Sequence, residues 1–293
     1  MGKDKMKVLI LGVTGMLGST VFKMLQQDKS LTVYGTLRSV SGAEHFPLDS
    51  HSQLLANVDV LDNDSLISVM TAVKPDLVIN CIGLIKQYAD ANSPLIALPI
   101  NAMFPHRLAN LCSLTNTRLI HISTDCVFSG RKGMYTEDDV SDAEDLYGKS
   151  KYIGELHDLT HSVTLRTSII GHELNTSTSL VDWFLSQTGQ VKGYNEAIFS
   201  GLPTIELAIV IRDFVIPNAN LHGLYHVSVE PIDKHSLLNL IADVYGKEIE
   251  IEADDKVQID RSLDSTKFRQ ATGYEPPSWP KLIEKMHNMH EGM

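Results

Sequence analysis

Along the first two-thirds of the chain, apolar residues come in short, nearly unbroken runs, each followed by a stretch with helical spacing. Lys7–Leu11 (KVLIL) is the first run, and a glycine turn and an amphipathic stretch to about Gln27 follow it. Leu31–Thr36, Asn57–Val60, Asp76–Asn80, Arg118–Ser123 and Ser162–Arg166 continue the series as predicted strands. Between them, Asp64–Val73, a long segment within Pro94–Leu114, and Leu146–Leu159 read as helices. Strands apolar on both faces and separated by helices predict a parallel sheet covered on two sides. Right-handed crossovers then make a doubly wound α/β arrangement the most economical one.

Beyond Ser168 the rhythm loosens. Ser179–Gln187 reads as a helix capped by Ser or Thr, Gly201–Pro203 as a turn, and Ile205–Val215 as another apolar segment. Tyr225–Val227 resembles a strand, His235–Tyr245 a helix and Ile249–Glu252 a strand, and Pro276, Pro277 and Pro280 introduce a last helix through Met289. No internal repeat, low-complexity tract or clear linker interrupts the chain.

Composition narrows the field. With 43% hydrophobic and 21% charged residues over 293 positions, the chain can bury a large core and is not a disordered polymer. No run approaches the ~18 apolar residues of a membrane helix, and the basic start (MGKDKMKVLILG) leads into glycines without an export signal. Lys+Arg 25 against Asp+Glu 36 gives −11, which argues against a general nucleic-acid binder. Cys81, Cys112 and Cys126 lack any CxxC pairing, so neither a disulfide framework nor a zinc site is expected. His287 and His290, the one close histidine pair in a predicted helix, read as solvated residues, so no metal is expected. A reduced cytoplasm is the expected location.

The glycine turn carries the first chemistry. In Gly12-Val13-Thr14-Gly15-Met16-Leu17-Gly18, Gly12 can make a tight turn, Gly15 lets the backbone approach a pyrophosphate, and Gly18 permits close helix packing. The N-terminus of the following helix offers free N–H groups and partial positive charge to phosphates. This predicts a Rossmann-type dinucleotide site that includes Gly12, Thr14, Gly15, Met16 and Leu17. The second strand ends in Tyr34-Gly35-Thr36-Leu37-Arg38-Ser39, without the acid that usually accepts both ribose hydroxyls of NAD. Arg38 and Ser39 suit a 2′-phosphate instead, which favours NADP(H) while leaving NAD(H) open. Asp59 and Val60 have two readings, a bracket around adenine or a helix cap and surface position.

Tyr147 and Lys151 in Tyr-Gly-Lys-Ser-Lys lie four apart and share a helix face. Carbonyl reduction needs a proton for the oxygen, and an ammonium beside a phenol of pKa ~10 draws it toward working pH. A positioned acid of this kind contributes about 10²–10⁴ in rate.

Together with Asn80, Ser123-Thr124-Asp125 and the glycine turn, this pair resembles the extended short-chain dehydrogenase/reductases. His121-Ile-Ser-Thr-Asp-Cys-Val-Phe-Ser-Gly130, Leu165-Arg-Thr-Ser168, Asp264-Ser-Thr-Lys267 and Gly273-Tyr-Glu-Pro276 are similar to the dTDP-4-dehydrorhamnose reductase group, from about Lys7 to Ile283. The resemblance implies NADPH-dependent reduction of the 4-keto group of a nucleotide-activated deoxyhexose, in deoxysugar and cell-surface polysaccharide synthesis. Tyr147 would be the general acid, Lys151 would hold the nicotinamide ribose and tune Tyr147, and Thr124 would donate to the substrate carbonyl. Asn101 would hold the lysine side of the site or simply start a helix, and Cys81, Ile82 and Gly83 would lie along the cofactor. Cys81 reads as a small hydrophobe there and not as a nucleophile.

The implied division is a Rossmann-type NADP-binding domain over 1–168, which also carries Thr124, Tyr147 and Lys151. A smaller substrate-binding lobe would span 169–293, with some segments returning to the first domain. The sequence departs from the group at Ile169, where tryptophan is usual, and at Gly83-Leu-Ile-Lys-Gln-Tyr88. Lys86 and Tyr88 are therefore either diphosphate contacts or solvated loop residues, and Asp125 joins Thr124 as a sugar contact. A homodimer is left open. Two alternatives stand beside the reductase. One is a non-catalytic NADP-binding subunit like the β subunit of methionine adenosyltransferase. The other is an extended-family epimerase or dehydratase, the latter weakened because Cys126 and not a second acid follows Asp125.

Overall fold

The computed structural model describes residues 5–86, 89–174 and 176–292. They form two compact units. The first comprises Met1–Ser123, Asp145–Leu165 and Asn220–Leu224, and the second Thr124–Glu144, Arg166–Ala219 and Tyr225–Met293.

The first unit opens with β1 (Met6–Leu11), α1 (Met16–Leu25), β2 (Leu31–Thr36), β3 (Leu54–Leu55), α2 (Asn63–Val73) and β4 (Leu77–Asn80). A helical run then passes through α3 (Pro94–Ala97), a π turn (Leu98–Met103) and α4 (Phe104–Leu114). It is followed by β5 (Arg118–Thr124), α5 (Leu146–Ile153) and β6 (Ser162–Thr167). The chain continues through β7 (Ile169–Ile170), α6 (Leu180–Ser186), β8 (Gln190–Tyr194), β9 (Ala197–Phe199), β10 (Leu202–Pro203), α7 (Thr204–Val210) and β11 (Gly223–His226). Last come β12 (Ile232–Asp233), α8 (Lys234–Tyr245), β13 (Glu250–Asp254), β14 (Ile259–Asp260), α9 (Thr266–Thr272) and α10 (Trp279–Glu291).

Seven strands form one sheet in the order β11-β6-β5-β4-β1-β2-β3, with β3 through β5 paired in parallel. Every residue of β4 and of β6 is buried, as two-sided cover requires. Leu9, Leu11, Val78 and Leu119 from the strands pack with Leu66, Met70 and Val73 of α2 and Phe104, Leu108 and Cys112 of α4. The order reverses between β1 and β4, the crevice where doubly wound sheets take their ligands. The fold is the doubly wound α/β one expected.

Three local expectations need correction. The third strand is Leu54–Leu55, not Asn57–Val60. Asn57 has φ of 61°, which breaks the extended run, so Val58 satisfies its apolar character by burial and donates its N–H to Leu37 O. The helix beginning at Leu146 stops at Ile153 and not near Leu159. Thr164 bonds both backbone groups of Leu156, at 3.2 and 3.0 Å, and draws that segment onto β6. Leu202–Pro203, expected as a turn, is a two-residue ladder parallel to Ile169–Ile170.

In the second unit β12 and β14 flank β9, and β13 pairs in parallel with β8. Asp233 caps α8 through Ser236 N, and Ser179 caps α6 through Asp182 N. Arg166 is fully buried, its guanidinium 4.9 Å over the Phe128 ring and 2.8 Å from His226 Nε2. Among the described residues no helix is long and apolar enough to cross a membrane.

Glu206 on α7 is only 2% exposed, and it accepts from Tyr274 Oη at 3.1 Å and from Lys285 Nζ of α10 at 2.7 Å. A carboxylate this buried needs its partners, and losing one leaves much of the desolvation penalty standing. The Lys285→Met substitution keeps the aliphatic stem and is expected to cost about 1–3 kcal/mol in denaturant unfolding. A stability equal to the wild type would show that Tyr274 alone suffices.

Candidate functional site

The glycine turn sits at the sheet's reversal. Gly12 has φ of 84°, which side chains rarely adopt, and a Cβ there would meet Ile82 Cγ1 at 2.8 Å. The turn is pinned from β2 by Thr36, whose Oγ1 accepts from Gly12 N at 3.2 Å and whose carbonyl accepts from Val13 N at 3.3 Å. Gly18 lies against the same turn, and a Cβ on it would fall 2.1 Å from Gly12 O. α1 begins at Met16 after the N-cap Gly15, with no side-chain cap and no acid in its first turn. Its N–H groups and dipole are thus left for an anion, and the residues present fit a dinucleotide pyrophosphate. Gly15 is exposed, Thr14 and Met16 are half-buried, and Leu17 is buried. Arg38 and Ser39 follow β2 as exposed residues, and Ser39 Oγ lies 2.8 Å from Ser41 Oγ. Asp59 caps its own turn by accepting from Leu61 N, and Val60 packs against the core.

At the end of β4, Asn80 Oδ1 accepts from Ile82 N and so shapes the Cys81-Ile82-Gly83 turn. Its amide nitrogen donates to His121 Nδ1 at 3.1 Å, which leaves the His121 proton on Nε2. That Nε2 is buried and has no hydrogen-bond partner. Asn101 sits in the π turn, a widened helical turn of the kind often found at functional sites. It accepts from Leu84 N at 2.8 Å and donates to Leu84 O and to Ser150 Oγ, so it ties the β4 loop to α5.

α5 is capped by Asp145, which accepts from Gly148 N at 2.7 Å. Tyr147 lies half-buried in its first turn, and Lys151 one turn on is 5% exposed. Lys151 Nζ donates to Ile122 O at 2.9 Å, and a Cβ on Gly83 would lie 3.6 Å from both that Nζ and Asn101 Oδ1. Burial pushes the Lys151 ammonium down to about 8, against the pull of Glu155 and Cys81. Burial pushes the Cys81 thiol up to about 12, which suits a packing residue and not a nucleophile. Lys86 is held by Asp145 at 2.6 Å, an exposed ion pair at the helix cap. Tyr88 lies outside the described residues.

Thr124 and Asp125 belong to the second unit. The Thr124 hydroxyl accepts from Cys126 N and donates to Asp125 Oδ1, both at 3.2 Å, and so caps the short turn after β5. Asp125 is buried, and its carboxyl is raised by desolvation although Arg261 opposes this. Arg261 also clamps the turn by donating from Nε to Phe128 O at 2.7 Å. Among the described residues no group of three or more His, Cys, Asp or Glu is placed to hold a metal ion.

Thus Gly12–Leu17, Cys81–Gly83, Asn101 and Lys151 come together around the ends of β1 and β4. Thr36, Ser150 and Glu155 were not anticipated. Only Glu155, four residues after Lys151, carried a spacing that could have pointed to it.

The family model described as RmlD substrate binding domain matches residues 6–291. A dTDP-4-dehydrorhamnose reductase of Aggregatibacter actinomycetemcomitans is 25% identical over 96% of this chain and 98% of its own length. The probable low-salt glycan biosynthesis reductase Agl14 of Haloferax volcanii is 30% identical over 51% of this chain. Mouse methionine adenosyltransferase 2 subunit beta is also 30% identical over 51%. The chain spans about half the length of these last two relatives, 48% and 41% respectively. In fold, the chain is similar to a dTDP-4-dehydrorhamnose reductase from Bacillus anthracis solved in complex with NADP. The TM-score is 0.78 at 21% identity, covering 97% of this chain and 99% of that one.

The Gly18 contact gives a direct test of the turn. Gly18→Ala must push α1 off the Gly12 carbonyl, and overpacking of this kind costs about 1–3 kcal/mol. The variant should melt at lower temperature and bind dinucleotide more weakly. An unchanged melting temperature would show that α1 can shift freely.

Proposed function

The chain belongs to the RmlD substrate-binding-domain family, and from that premise we propose that it reduces the 4-keto group of a nucleotide-activated deoxyhexose with NADPH. The observation that carries this reading is the buried Lys151 ammonium, one turn from Tyr147 and packed against the Gly83 turn. A fold does not desolvate a cation without cause, and a reductase needs that cation there.

Gly12, Thr14, Gly15, Met16 and Leu17 would hold the pyrophosphate, Arg38 and Ser39 the 2′-phosphate, and Asp59 and Val60 the adenine. Cys81, Ile82, Gly83 and Asn101 would flank the nicotinamide side, and Lys151 would hold its ribose. When bound, the cofactor supplies the hydride. Tyr147 gives its phenolic proton to the keto oxygen, and Thr124 donates a hydrogen bond to that oxygen once it leaves Asp125. Asp125 would meet the sugar hydroxyls. Lys86, already paired with Asp145, is a weaker candidate for the diphosphate. NADPH oxidation measured against dTDP-, UDP- and GDP-linked 4-keto sugars tests the activity directly.

A second reading is favoured by the methionine adenosyltransferase beta subunits among the relatives. It makes this chain a non-catalytic cofactor-binding partner. Tight NADPH binding with no sugar nucleotide reduced would decide for it.

Two substitutions separate the roles. Arg38→Ala removes a charge-assisted contact of about 1.5–3 kcal/mol, so NADPH affinity should fall roughly tenfold to a hundredfold while NADH changes little. Equal losses for both would remove Arg38 from 2′-phosphate recognition. Tyr147→Phe keeps the ring and removes the hydroxyl, so kcat should fall about 10²–10⁴ with NADPH binding nearly unchanged. Near wild-type turnover in that variant would end the assignment of Tyr147 as the acid.

A further inference from the structure

Lys151 is not the one buried charge in this region. Glu155 is 3% exposed, although the helix has already ended at Ile153 and the chain could have turned its carboxylate outward. Ser123 Oγ donates to Glu155 Oε1 at 2.6 Å, and His157 Nε2 lies 3.3 Å from Oε2. The preceding residue of the same strand, Ile122, accepts from Lys151 Nζ at 2.9 Å. Consecutive residues of β5 therefore hold the ammonium and the carboxylate, one by backbone and the other by side chain.

Resting on the reductase reading above, we propose that Glu155 is a positioning residue for Lys151, the fixed counter-charge of the active-site ammonium, held by the next residue of β5. Of the two described side chains that raise Lys151, Glu155 comes before Cys81. Cys81, at the end of β4, has its thiol pushed up to about 12 and is neutral near pH 7. His121 on β5 is held well below its ordinary value, first by burial and then by Lys151, so it too is neutral. His106 on α4 acts on His121 in the same direction, and His157 faces the Glu155 carboxylate at 3.3 Å. Desolvation lowers Lys151 to about 8, and Glu155 is the leading influence that raises it. Without that carboxylate the ammonium would lose its proton closer to neutrality, and with it the charge for the ribose and for Tyr147.

The experiment is a pH titration of Lys151 in the whole apoprotein, read by NMR with 13Cε-labelled lysine and assigned with Lys151→Met. A parallel measurement of NADPH affinity against pH accompanies it. Glu155→Gln keeps the shape and an acceptor for Ser123 but removes the charge. The Lys151 midpoint should move down by about one to two pH units, the size expected of a close charge pair in a partly shielded site. The pH at which NADPH affinity falls should move with it. An unchanged midpoint in the folded variant would overturn the proposal and leave Glu155 a structural residue. Should Glu155→Gln fail to fold, Glu155→Asp draws the charge back by one methylene and must lower the midpoint by a smaller amount. No shift there overturns the proposal equally. A midpoint shift between wild type and Glu155→Gln in the apoprotein, with no NADPH binding by the wild type, would defeat the reductase reading and leave the Lys151–Glu155 coupling standing.

Discussion

The ammonium of Lys151 is taken almost completely out of water, and the surrounding elements of the first unit are arranged to make that tolerable. An unpaired buried charge costs several kcal/mol, so it survives only with a good acceptor and a compensating field. Ile122 O supplies the acceptor. The short α5 supplies the placement, because Asp145 fixes its first turn and the Thr164 bonds to Leu156 fix where the chain leaves it. Asn101 then locks α5 to the loop after β4 through Ser150 and Leu84. The glycine turn and the lysine are thus parts of one rigid arrangement at the ends of β1, β4 and β5.

What was legible in the sequence follows from where each signal lives. The glycine turn could be read because its requirements are local and steric: a left-handed Gly12 and a side chain that Gly18 must lack. The strands β1, β2, β4, β5 and β6 could be read because two-sided burial leaves a continuous apolar run. The misplaced third strand shows the limit of that signal. Val58 is apolar and buried, yet the positive φ of Asn57 lets it pack without pairing, and a run of apolar letters does not distinguish the two. Lys86 shows a different limit, since its partner Asp145 stands 59 residues away and only the fold brings them together. The same holds for Ser123 with Glu155 and for Glu206 with Lys285.

Thr124 shows what a residue's letter leaves out, namely the hydrogen bonds its hydroxyl already makes. Its hydroxyl is engaged with Cys126 N and Asp125, so the turn it caps is satisfied within the chain. A hydroxyl has one proton and two lone pairs, and it can keep the Cys126 bond while its proton swings elsewhere.

The π turn at Leu98–Met103 has a consequence of its own. It inserts extra chain into a helical run that is regular α on either side, and each residue of an α-helix advances the direction of its side chains by about 100°. The α4 residues that enter the core, Phe104, Leu108 and Cys112, are therefore out of phase with α3 by an amount that only the widened turn absorbs. Loss of one residue there would let the run close into ordinary α-helix. Asn101 would then rotate away from Leu84, or the core face of α4 would rotate toward solvent. Length in this segment is consequently a constraint in its own right, beside the identity of Asn101: a residue lost from it cannot be made good by any exchange of side chains.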